Sequence, residues 1–168
     1  MKKLVLLFTL LLNAINVVAQ DKDSLMIKSL VASVDSMSKK LEKLQSDYDY
    51  MSLSSDIEQT NNDLEILSNS IDLSSNSLLI KSYHERFNVV YYNAYSDKYV
   101  ADHKLLNSYR NIVGTLKSRI SYSILVSNFS EPQINYINIG LDLLDAGLAK
   151  VESALKHYKS VLDLYITK

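Results

Sequence analysis

Asp102 is the residue whose type and position are best suited to chemistry, because it stands within a run of aromatic residues. Tyr95 and Tyr99 precede it by two and one helical turns, and Leu106 and Tyr109 follow it. An acid on such a helix face can bind a ligand or transfer a proton. In a structural role, it would accept a hydrogen bond from a neighbouring helix and fix how the helices align. We expect the structural role; a third interpretation leaves Asp102 in solvent.

A second candidate is the concentration of tyrosines just before Asp102, in a chain with 12 Tyr. Tyrosine joins an apolar ring to a polar hydroxyl and is enriched at interfaces. Four tyrosines over residues 91–99 cover most of a helix circumference, so some rings must lie near water. The candidate interaction surface consists of Tyr91, Tyr92, Tyr95, Tyr99, Lys98, Lys104 and Arg110. The alternative is a rim of packed rings with wet hydroxyls.

The residue types that dominate enzyme and metal sites are not arranged for either purpose. The three histidines, His84, His103 and His157, form no pair at helical spacing, and the chain has no Cys. A metal site in a helical bundle needs such pairs. Neither the Gly-x-Ser-x-Gly motif nor a Gly-rich phosphate loop occurs. We therefore predict no catalytic residue, no cofactor and no metal.

Helices must position these residues, because apolar residues recur at intervals of three and four along most of the chain. The first such stripe consists of Ile27, Leu30, Val34, Met37, Leu41, Leu44, Tyr48 and Met51. The last consists of Ile134, Ile137, Leu141, Leu144, Leu148, Val151, Leu155, Tyr158, Leu162 and Tyr165. We expect both to be buried as seams between helices. Gly140, Gly147 and Ala154 stand seven apart beside the last stripe, which predicts a neighbouring helix at close range.

Two further stripes predict helices in the middle of the chain. One contains Ile57, Leu64, Leu67, Ile71 and Leu78. The other contains Tyr92, Tyr95, Tyr99, Asp102, Leu106, Tyr109, Val113, Leu116 and Ile120. Ser55 and Glu58 match a capping box that would begin a new helix, and Ser130 before Pro132 would begin the last one. One Pro and three Gly leave little material for the turns of an all-β fold.

These stripes predict an all-α fold, an elongated antiparallel (up-down-up-down) four-helix bundle with coiled-coil-like heptad seams. Four helices of similar length require a turn near residues 88–96. The alternative is a break near residues 74–77, followed by one helix of about 50 residues. Equal lengths bury every stripe, so we prefer the turn near residues 88–96.

The first 19 residues have the features of a signal peptide. Lys2 and Lys3 precede an apolar segment over residues 4–12, and Ala19 and Gln20 flank the predicted cleavage site. The apolar segment is too short to span a bilayer, which takes roughly 20 residues. We expect an exported protein, periplasmic or secreted. A signal peptide over residues 1–19 would precede one helical-bundle domain over residues 20–168, with no transmembrane span after cleavage.

The net charge of the chain and the distribution of its charged residues restrict the class of partner that it can bind. Removal of the leader with Lys2 and Lys3 changes the formal net charge from −1 to −3, which argues against nucleic-acid binding. Between Lys43 and Lys81 there are seven acidic residues and no basic one, whereas Lys98 to Arg119 holds five basic residues and one acidic residue. Such segments favour helices that pair through opposite charge.

The leading functional hypothesis is a protein without catalytic activity that binds another protein or an envelope component, or acts as a structural spacer. A second hypothesis is a small-molecule carrier or enzyme with a polar pocket around Asp102. A third is a homo-oligomer whose stripes are completed by another copy.

Overall fold

All the regular secondary structure of the protein is α-helical in the residues that its computed structural model describes, 24–84 and 88–167. Three helices and no strand are found there: α1 (Ser24–His84), α2 (Val89–Val126) and α3 (Glu131–Ile166). The all-α prediction is confirmed, but the prediction of four helices is wrong. The predicted signal peptide and the cleavage site between Ala19 and Gln20 lie outside the described residues.

The four-helix prediction fails at Ser55, where α1 continues without a break. No Gly or Pro occurs between residues 24 and 84, so nothing forces the chain to leave the helix. The hydroxyl of Ser54 donates to the carbonyl of Met51 at 3.2 Å, as serine does inside a helix. The carboxylate of Glu58 accepts a hydrogen bond from Tyr136 instead of capping a helix start.

The chain divides into two compact units, one ending at Gln45 and the other beginning at Ser46. In the first unit, the described residues 24–45 are helical and belong to α1. In the second, residues 46–84 of α1 pack with α2 and α3 as a three-helix bundle. Every buried apolar residue of the described chain belongs to this bundle.

Side-chain contacts set the directions of α1 and α2. Arg119 of α2 pairs with Asp56 of α1, while Tyr95, two dozen residues earlier in α2, contacts Ser77, later in α1. Residues with higher numbers in α2 thus contact residues with lower numbers in α1. Within the bundle, α1 and α2 are therefore antiparallel.

The last helix reverses direction again. Lys117 of α2 pairs with Asp145 of α3 at 2.7 Å, and Arg110 pairs with Glu152 at 2.6 Å. As with α1 and α2, the positions run in opposite directions, so α3 is antiparallel to α2. The bundle accordingly has an up-down-up topology in which α1 and α3 are parallel.

Residues of three predicted stripes supply the core of the bundle. From α1 the buried apolar residues are Leu53, Ile57, Leu64, Leu67, Ile71 and Leu78. From α2 they are Leu106, Val113, Leu116 and Ile120, with Asp102 buried in the same stripe. From α3 they are Ile137, Leu144, Val151, Ala154, Leu155, Tyr158, Val161, Leu162 and Tyr165.

The first stripe does not join this core, so its predicted burial as a coiled-coil-like seam is wrong. Within the bundle unit, Tyr48 and Met51 are 69% and 67% exposed, whereas Leu53 is fully buried. The step of two residues from Met51 to Leu53 corresponds to about 200° around a helix. The first stripe and the buried stripe are therefore in different heptad phases of α1. Within the bundle unit, Met51 and Leu53 accordingly lie on nearly opposite sides of α1.

Gly140 and Gly147 explain how α3 comes close to α1. A Cβ atom on Gly140 would lie 2.6 Å from Cγ2 of Ile57, and one on Gly147 would lie 3.1 Å from Cδ1 of Leu64. Ile57 and Leu64 thus occupy the space that the missing side chains leave. The predicted close approach beside the last stripe is present and involves α1.

Asn88 and Ser130 begin the last two helices. Asn88 Oδ1 accepts from the backbone N–H of Val90 at 2.9 Å. The backbone N–H of Ser130 donates to Oε1 of Gln133 at 2.8 Å, and Pro132 lies in the first turn as expected. α1 ends at His84 and α2 begins at Val89, so residues 89–96 are helical and the predicted turn does not extend over them.

Candidate functional site

Asp102 lies where the bundle helices meet, with 4% of its surface exposed. Lys98, one turn earlier in α2, donates to both carboxylate oxygens of Asp102 at 3.1 and 3.0 Å. The same ammonium lies 3.3 Å from Oγ of Ser70 on α1. The buried carboxylate is thus neutralised by a cation that also links α2 to α1. Arrangements of this kind fix how helices align.

The tyrosines around this ion pair bind one another and the backbone. The buried hydroxyl of Tyr158 donates to the carbonyl of Tyr95 at 2.9 Å, and its ring packs edge-on against Tyr99 at 5.9 Å between centroids. The hydroxyl of Tyr95 hydrogen-bonds with Ser77 at 2.8 Å. These contacts join all three helices around Asp102. The hydroxyls of Tyr158 and Tyr95 already have hydrogen-bond partners within the bundle.

The electrostatics of this region act mainly on Tyr158. Burial raises the pKa of its phenol above the ordinary value, and the negative charge of Asp102 adds to the rise, as does Tyr95. The hydroxyl therefore stays protonated and keeps donating to Tyr95 over the whole physiological range. A neutral phenol of this kind is suited to holding helices together rather than to acting as a base.

The predicted interaction surface divides into packed and exposed residues. Tyr92, Tyr95 and Tyr99 are partly buried against the core. Lys98 is bound to Asp102, and Arg110 is paired with Glu152 on α3. Tyr91 is 40% exposed, with the ammonium of Lys81 4.2 Å from its ring centroid. Lys104 lies in solvent on the same helix.

The predicted charge complementarity of α1 and α2 accounts for only some of the ion pairs between helices. An ion pair between these two helices joins Arg119 to Asp56. Two others join Arg110 and Lys117 to α3. The basic residues of α2 are therefore shared between both neighbouring helices.

A column of serines was not anticipated by the sequence analysis. Ser68, Ser75 and Ser82 of α1 are seven residues apart and buried. Ser75 and Ser82 donate to carbonyls one turn earlier, Asp72 at 3.1 Å and Leu79 at 2.7 Å. Within the described chain, Oγ of Ser68 is the buried side-chain polar atom left without a partner. Their spacing of seven, in phase with Ile71 and Leu78, was the signal available in the sequence.

Exposed apolar residues follow one side of the helix in the unit that ends at Gln45. We define the N-terminal stripe as Ile27, Leu30, Val34, Met37, Leu41 and Leu44. Leu30, Met37, Leu41 and Leu44 are between 48% and 64% exposed, and Ile27 and Val34 are partly exposed. Contiguous exposed apolar surface of this kind is unusual for an isolated domain.

In residues 24–84 and 88–167, no three His, Asp or Glu side chains come together to hold a metal ion. No helix in that part of the chain has the length and apolar content to cross a membrane.

Comparison with protein-family models, with curated proteins and with solved structures yields no match for this chain. The function is therefore argued from the residues of the chain itself. The N-terminal stripe and the ion pair at Asp102 are the two features that bear on it.

Proposed function

We propose that this protein is an exported binding protein or structural spacer of the cell envelope, and that it acts without catalysis. The N-terminal stripe is the surface through which it binds. The single observation that carries this proposal is the exposure of a regular apolar stripe over residues 27–44. A helix with such a face obtains most of its stability by burying it against a partner.

The spacing of the stripe specifies the shape of the partner. Apolar residues at intervals of three and four form a narrow band along one side of a helix. Another helix with the same spacing covers such a band by inserting its side chains between those of the first. The partner in this proposal is therefore a protein helix with an apolar stripe.

The chemistry of the bundle supports a role without catalysis. Asp102, the best candidate for an acid or base, has both oxygens bound by Lys98. The nearby hydroxyls of Tyr158 and Tyr95 have partners within the bundle. A carrier or enzyme with a pocket around Asp102 would need at least one of these groups to face its ligand, so the contacts do not favour that alternative.

Capture from an envelope extract tests the proposal. The bait is the exported form, residues 20–168, as wild type and as Leu30→Glu/Leu41→Glu, which places two charges in the stripe. We expect the variant to lose the partners that the wild type retains. Ala32→Glu is the matched control, because Ala32 is exposed on the same helix outside the stripe.

A second variant separates the stripe from the tyrosine-rich surface. Alanine at Tyr92, Tyr95 or Tyr99 would disturb the core, so the variant Tyr91→Ala/Lys104→Glu changes only exposed positions. We expect it to retain the partners of the wild type. Loss of partners in this variant, with retention in the stripe variant, would move the binding site to α2.

A further inference from the structure

The side chains of the N-terminal stripe indicate which kind of partner binds it. We propose that it binds the same stripe of a second copy of this chain. The two helices then form a parallel two-stranded coiled coil in which each stripe residue faces the same residue of the other copy. This inference rests on the proposed function, because it names the partner helix of the same surface.

The side-chain types in the stripe are those of a two-stranded coiled coil. In heptad notation, Ile27, Val34 and Leu41 occupy the a positions, and Leu30, Met37 and Leu44 the d positions. β-Branched residues at a combined with Leu at d favour two parallel strands over three or four. Two of the three a positions are β-branched, and two of the three d positions are Leu.

The residues beside the stripe allow two identical helices to approach. In a parallel pair, each g position faces the e position of the following heptad on the other helix. These pairs are Met26 with Val31, Ser33 with Ser38, and Lys40 with Gln45. None of them brings like charges together, and the first extends the apolar contact.

Apart from Lys40 at a g position, the charged residues of the segment lie away from this contact. Lys28, Asp35, Lys39, Glu42 and Lys43 occupy the outer b, c and f positions. A helix that met an oppositely charged partner would be expected to carry charges at e and g instead. The near-neutral flanks therefore fit a second copy better than a strongly charged partner.

The apolar area is close to what a dimer needs. Met26 and Val31 add two apolar side chains to the six of the stripe. Burial of eight such side chains, at roughly 90 Å² each, removes on the order of 700 Å² per copy from water. A standard interface takes about 800 Å² from each partner. The stripe therefore offers nearly the area that a standard interface takes from one partner, and we expect a dimer.

Single cysteine substitutions test this arrangement without competing disulfides, because the chain itself has no cysteine. In the exported form, Leu30→Cys and Leu44→Cys are placed at d positions, and Ala32→Cys at an outer f position serves as control. Under a glutathione redox buffer, we expect disulfide-linked dimers from each d variant alone and not from the control. Cross-linking only in a mixture of the two d variants indicates antiparallel helices and overturns the proposal.

Sedimentation equilibrium separates the failure of this inference from that of the proposed function. We expect a dimer for the wild type and Ala32→Glu, and a monomer with unchanged helical content for Leu30→Glu/Leu41→Glu. A monomeric wild type overturns the self-pairing. If that monomer still captures an envelope partner through the stripe, the proposed function stands; if the stripe variant captures the same partners, both fail.

Discussion

Two segments of α1 carry apolar stripes of similar regularity, and the bundle buries one and leaves the other in water. From Leu53 to Leu78 the stripe is interrupted by serines, yet its apolar residues are covered by α2 and α3. From Ile27 to Leu44 the spacing has no gap, yet most of its side chains are exposed. Spacing alone thus shows that a helix has an apolar face, and the covering element has to come from elsewhere.

The largest expected effect separates the two segments through the same substitution. Leu64→Ala should lower the free energy of unfolding by about 2–5 kcal/mol, because Leu64 is buried against α3 and its loss leaves a cavity. Leu41→Ala should change the stability of the bundle by less than about 0.5 kcal/mol. Urea denaturation followed by tyrosine circular dichroism measures both. Equal losses would show that the first segment is buried after all.

The next effect sharpens the comparison at Asp102, a charged residue that the bundle buries. Lys98→Met leaves Asp102 buried without its cation, which should cost about 2 kcal/mol; the side chain of Lys98 is 38% exposed, so solvent weakens the pair. The double variant Lys98→Met/Asp102→Leu should recover most of that loss in urea denaturation. Full stability of Lys98→Met alone would mean that water reaches Asp102.

Close packing of α1 against α3 gives a third test. Gly140→Ala should destabilise the bundle by about 1–2 kcal/mol, because its Cβ would meet Ile57 at 2.6 Å. Gly114→Ala, at a position with no atom within 4 Å, should instead stabilise it by up to about 1 kcal/mol through helix propensity. Thermal unfolding of both variants gives the two signs. A stabilising Gly140→Ala would contradict the contact with Ile57.

Tyr158 gives the buried segment a dependence on pH. Its raised pKa means that above about pH 10 the unfolded phenol ionises while the folded one stays neutral. Stability is therefore complete below pH 10 and falls as the pH rises beyond it. Tyr158→Phe should cost about 1 kcal/mol at neutral pH through its lost hydrogen bond to Tyr95 and should flatten the alkaline decrease. Tyr122→Phe, which is exposed, controls for the removal of a phenol.

The smallest effect concerns the serine column of the buried segment. Ser68→Ala removes a buried hydroxyl that has no partner and should stabilise the bundle by about 0.5–1 kcal/mol. Ser75→Ala removes a hydroxyl that donates to Asp72 and should be close to neutral. Urea denaturation of both variants under identical conditions compares them. A destabilised Ser68→Ala would indicate a partner for its hydroxyl.

The helical class and most core positions could be predicted because they depend on local spacing. The stripes of α2 and α3 name nearly every residue that these helices bury, and Ser130 marks the start of α3. The number of helices could not be predicted in the same way, because the capping motif at Ser55 is also compatible with a helix interior. The absence of Gly and Pro from residues 24–84 was the better signal.

The sequence does not predict which individual side chains contact one another. That Asp102 is polar within an apolar stripe is visible there, but its pairing with Lys98 and the link to Ser70 depend on how α1 and α2 align. The tyrosines illustrate the same limit. An amphipathic ring fits a surface and a core equally well, and only the position of α3 decides that Tyr99 packs against Tyr158.

The paired contacts Ile57–Gly140 and Leu64–Gly147 have a consequence for how α1 and α3 align. A shift of α3 by one heptad would seat Ile57 at Gly147 but would bring Ala154, which has a Cβ atom, to Leu64. In that displaced arrangement Glu58 would no longer face Tyr136. The glycine contacts and the hydrogen bond at the periphery thus select the same alignment of α1 and α3.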